Sequence, residues 1–77
     1  MAKYRKKPIV VDAEQFLHPA TSPRGVYVGE NGDAWVVTIH GVKTPVVPGD
    51  WIIMEPDGKH FYPCRPQIFA GTYELEA

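Results

Sequence analysis

The chain has 77 residues and a mass of 8.6 kDa, the size of one small domain, taken as 1–77. Apolar residues make up 44% and charged residues 22%, a globular balance that excludes disorder of the whole chain. One cysteine excludes an internal disulfide framework and a four-cysteine zinc site, and a net charge of −1 argues against a general polyanion binder.

No apolar run reaches the roughly 18 residues of a membrane span. The basic N-terminus is not followed by the apolar stretch of a signal peptide. The expectation is therefore a soluble cytoplasmic protein. A chain this short buries only about 60–65% of its unfolded surface, so each large apolar residue matters.

Charge is unevenly placed. Residues 1–7 carry Lys3, Arg5, Lys6 and Lys7, four positive charges and no negative one. From residue 8 onward, four basic residues face nine acidic ones, a net of −5. A basic arm thus leads an acidic body. Such an arm suits phosphates or an acidic partner, or it pairs with the body's own carboxylates.

The first strand is expected from Pro8 to Phe16, where Ile9, Val11 and Ala13 alternate with Val10, Asp12 and Glu14. The segment from His18 to Arg24 reads as a loop, with two prolines around Thr21 and Ser22. Val26 to Val28 and Ala34 to His40 flank Asn31-Gly32, which suits a type I′ hairpin with positive φ at both residues. On the second strand Trp35, Val37 and Ile39 share one face, and Val36, Thr38 and His40 the other.

His40-Gly41 makes the next turn, and Pro45 confines the returning strand, Val42 to Val47, to an edge or a bulge. Pro48-Gly49-Asp50 is a tight turn into Trp51-Ile52-Ile53-Met54, an apolar run expected at the centre of a sheet. Glu55-Pro56-Asp57-Gly58 turns into Lys59 to Cys64, with Phe61 as its core residue. Gln67 to Ala70 reads as one helical turn behind Pro66, ended by Gly71. Thr72 to Leu75 alternates and reads as a closing strand, with the first and last strands side by side.

These pieces predict a mainly β fold of five or six short antiparallel strands and one short helical turn near the C-terminus. Edge protection favours a partly closed barrel or a roll of SH3-like size, with residues 1–7 as a basic arm or the start of the first strand.

Three blocks together resemble a known group. They are Lys3-Tyr4-Arg5-Lys6-Lys7-Pro8-Ile9-Val10, then Pro48-Gly49-Asp50-Trp51-Ile52-Ile53, then Phe61-Tyr62-Pro63-Cys64-Arg65-Pro66 with Ile68-Phe69 and Thr72-Tyr73-Glu74. The chain resembles the small phage and prophage proteins of the family named for a Pro-Gly-Asp-Tyr-Gly motif. Trp51 and Ile52 stand where that motif has Tyr and Gly. The resemblance implies a phage or prophage source and an accessory protein made in the host cytoplasm during infection. It implies a host or phage partner and carries over no catalytic residue.

Cys64, next to Arg65, is weighed as a reactive thiol against the commoner buried cysteine. On an extended strand His60 and Cys64 stand roughly 13 Å apart, too far for direct contact. His18, His40, His60 and Cys64 show none of the short spacings of zinc sites, so no metal and no cofactor is expected. Asp12 and Glu14 share a face and read as solvated carboxylates, and Asp50 reads as a turn-fixing side chain.

Trp51 beside Ile52 and Ile53 makes a strand apolar on both faces, which predicts a closed barrel or an interface between copies. The residues assigned to binding are Lys3, Tyr4, Arg5, Lys6 and Lys7 of the arm, with Trp51, Tyr62 and Arg65. Asn31, Gly32, Pro48, Gly49 and Asp50 are assigned to turns.

The expected function is non-enzymatic: binding, mainly protein to protein, as a small homo-oligomer that modulates a host process or defence system. The alternatives are a single-strand nucleic-acid binder, a binder of a small anionic nucleotide, or a virion component.

Overall fold

The computed structural model of the protein describes residues 1–5 and 9–75. Six strands and one helix follow in order: β1 (Ala13–Gln15), β2 (Tyr27–Val28), β3 (Ala34–Val37), β4 (Lys43–Val46), β5 (Trp51–Met54), β6 (Phe61–Cys64) and α1 (Pro66–Thr72). They form two antiparallel three-stranded sheets, ordered β1-β5-β6 and β2-β3-β4. The mainly β expectation holds. The strands do not close a barrel: β6 packs against β3 and β4 across a shared core, and each sheet keeps its own two edges.

That core is built from alternation. Ala34 and Val36 of β3, Val46 of β4, Ile52 of β5 and Phe61 of β6 bury one face of each strand, and Phe16 closes one end. Val26 and Met54 pack at its margin. Trp51 and Ile53 point the other way, and Ile53 is still fully buried. β5 is thus apolar on both faces because it is the central strand of a covered sheet, as its sequence suggests. The cover over its second face includes α1 of the same chain, with Phe69 seated on Trp51.

Five sequence expectations change. The strand from Pro8 shortens to Ala13–Gln15, while Ile9 and Val10 lie exposed and Pro8 falls outside the described residues. β5 gives it no more partner: after Met54, whose N–H donates to the Asp12 carbonyl, the chain turns away through Glu55–Gly58. β1 accordingly pairs with β5 and not with a last strand.

The Asn31-Gly32 turn is not type I′. Only Gly32 has positive φ, at +81°, and the bonds Gly32 N to Gly29 O and Gly29 N to Asp33 O close a type I turn followed by a left-handed glycine. Gly71 does not end the helix, which runs on to Thr72 with the Tyr73 N–H donating to the Phe69 carbonyl. The closing strand at Thr72–Leu75 is absent, because Tyr73 instead stacks on Phe69 at 5.0 Å.

The turn at Pro48-Gly49 is type II: Gly49 has φ +100°, and the Asp50 N–H donates to the Val47 carbonyl. A side chain at position 49 would strain that φ.

Candidate functional site

Asp50 leaves the Pro-Gly turn with its carboxylate only 2% exposed. A buried carboxylate needs partners. Oδ2 accepts the Val47 N–H at 3.1 Å, and both oxygens accept from Arg65 Nη1 at 2.9 and 3.1 Å. The turn is thereby locked, and Arg65, the residue before α1, is fastened to it. The guanidinium stays largely in solvent, so the pair is dry on one side only.

From that anchor α1 lies over the outer face of β1-β5-β6. Its position is set by an aromatic ladder. Trp51 and Phe69 stack at 4.2 Å with planes 5° apart, and the Tyr73 hydroxyl lies 3.4 Å from the Tyr62 hydroxyl. Burial, together with that neighbouring hydroxyl, pushes the Tyr62 phenol up from its ordinary value, so it stays neutral.

Beside the ladder the same face opens into a groove. One side is lined by the extended segment Ile9–Ala13, and the other by Phe69, Ala70 and residues 72–75. Ile9, Val10 and Leu75 are 67, 74 and 96% exposed along it. Asp12, Glu55 and Glu74 bring carboxylates to a mainly apolar lining. Glu55 is partly engaged, because its Oε2 accepts the Ile39 N–H.

The outer face of the second sheet carries a different surface. Tyr27, Trp35 and Pro45 stand opposite one another across β2, β3 and β4. The Tyr27 and Trp35 rings stack at 6.0 Å, and Lys43 Nζ sits 4.0 Å from the Trp35 ring centre. Tyr27 is more than half exposed. Sequence reasoning placed Trp35 on the face opposite Val36 but did not assign it to binding. In the structure Val36 fills the core, and alternation along β3 sends Trp35 outward.

The arm residues Lys3, Tyr4 and Arg5 are all exposed, and Lys6 and Lys7 lie outside the described residues. Trp51 and Tyr62 belong to the ladder that holds α1, and both also line the groove. Arg65 is committed to Asp50. It does not activate Cys64: burial and the nearby Asp50 carboxylate push that thiol up.

The histidines sit in separate turns. His18 Nδ1 accepts the Ala20 N–H at 3.0 Å, His40 is exposed beside Gly41, and His60 Nδ1 meets Asp57 Oδ2. Among the described residues no group of three His, Cys, Asp or Glu side chains is placed to hold a metal ion. Nor does any helix there have the length and apolarity to cross a membrane. The described residues form two surfaces of note, an acidic-apolar groove on one side and a flat aromatic shelf on the other.

In comparisons with known proteins, the chain matches no family model, no curated protein and no solved structure.

Proposed function

We propose that the chain is a non-enzymatic binding protein that works through protein surfaces as a small homo-oligomer. One observation carries this reading: the groove over β1-β5-β6 leaves Ile9, Val10 and Leu75 in water around an apolar lining. In a 77-residue chain such surface is costly unless a partner covers it. The resemblance to the Pro-Gly-Asp-Tyr-Gly family supports a setting in phage infection, with a host process or defence system as the target. Sedimentation velocity over a range of micromolar concentrations tests the reading. A species of defined subunit number is expected, and a monomer at every concentration contradicts it.

A second reading has its own support. Tyr27, Trp35 and Lys43 combine flat rings with a cation, the elements of a single-strand base platform. Single-stranded oligonucleotide then quenches Trp35 fluorescence, less so at high salt and in Lys43→Ala. Quenching indifferent to salt and to Lys43 counts against it.

A further inference from the structure

We infer that the groove over β1-β5-β6 is a receptor for the basic N-terminal arm of a second copy of this chain. The inference rests on the homo-oligomer reading above and supplies its geometry.

The charges are complementary. The arm presents Lys3 and Arg5 around Tyr4, and the groove presents Asp12, Glu55 and Glu74 around an apolar lining. The arm has the matching pattern of cation, ring, cation. Tyr4 is 95% exposed, so its ring has no packing within its own chain.

The shape agrees. A compact chain of this length has a radius of gyration of about 11.5 Å. The observed value is 14.0 Å, with a longest dimension of 53 Å. Exposed chain segments are natural elements for exchange between copies, and residues 1–5 are all exposed. Ile9, the first described residue after the arm, itself lines the groove. Two copies related by a two-fold axis therefore each lend an arm and each receive one, so both grooves fill at once. The exposed Ile9 and Val10 at the arm's root lie where the two copies meet.

Two double variants test this with purified full-length protein. Lys3→Glu/Arg5→Glu cancels the arm's net charge, and Asp12→Lys/Glu74→Lys turns the groove's charge positive with Glu55 left in place. Neither pair touches the core, and circular dichroism checks that each variant folds. Light scattering then reads mass against concentration. Alone, each variant self-associates roughly tenfold or more weakly than the parent, because both contacts lose their charge attraction. Mixed in equal amounts they recover association toward the parental level, since one contact pairs the altered arm with the altered groove and the other pairs the unaltered arm with the unaltered groove.

Parental association in either variant alone overturns the inference and leaves the homo-oligomer reading standing. So does a mixture that stays dissociated while both variants are folded. A parent chain that is monomeric throughout overturns the inference and the reading together.

Discussion

At Asp57 a turn is held by charge. Its Oδ1 accepts the N–H groups of Lys59 and His60 at 2.9 and 3.0 Å, and Oδ2 meets the His60 ring. His60 first, then those two N–H groups, hold its carboxyl at about 2, below the ordinary 3.8. A depressed carboxyl stabilises the fold above its unfolded value, and that contribution disappears as pH falls through the folded value. Thermal unfolding of the parent and Asp57→Asn should therefore differ most above about pH 4 and converge toward pH 2. A constant difference across that window contradicts the role. Gly25 makes a second case at this scale. Its φ is +92°, and any Cβ there enters the buried Phe61 ring. Gly25→Ala should cost about 2–4 kcal/mol in denaturant unfolding, from left-handed strain plus overpacking. Gly32→Ala has similar φ but open space around it, and should cost only about 1 kcal/mol. Equal costs would show that the Phe61 contact is unimportant.

At the scale of elements, α1 is held by what it covers. Seven residues make a helix too short to persist alone in water. The Asp50–Arg65 anchor and the Trp51–Phe69 stack supply the missing stability. Phe69→Ala should cost about 1–2 kcal/mol and move Trp51 emission to longer wavelength in a Trp35→Phe background. An unshifted emission maximum would mean that Trp51 is covered by something else. The same packing explains which elements could be read from sequence. β3 and β5 were legible because alternation and apolar run length are local properties. The extent of β1 was not, because β5 decides how far it can pair. Thr72–Leu75 alternates like a strand, yet Tyr73 follows the helix, since a ring seated on Phe69 outweighs a local pattern. Asp50 was legible as a turn residue, but its bond to Arg65 joins positions 15 apart and left no local trace.

For the whole molecule, the two sheets share one core and turn two unlike outer faces to solvent. The face of β1-β5-β6 is covered at Trp51 by the chain's own helix, so part of the outer apolar surface of β5 is packed within the chain. The surface left over is the adjacent groove, together with the Tyr27–Trp35 shelf on the far side. Both arise from residues near chain ends or on outward strand positions, where sequence shows apolarity but not what packs beside it. The groove's carboxylates gather from positions 12, 55 and 74, so its charge became visible only once the chain was folded. Native mass spectrometry of the full chain tests self-association most directly, because it counts subunits without a probe. The expected spectrum shows a dimer at micromolar concentration that weakens as ammonium acetate is raised. A single monomer peak at every concentration and salt would contradict the homo-oligomer and the exchanged arm alike.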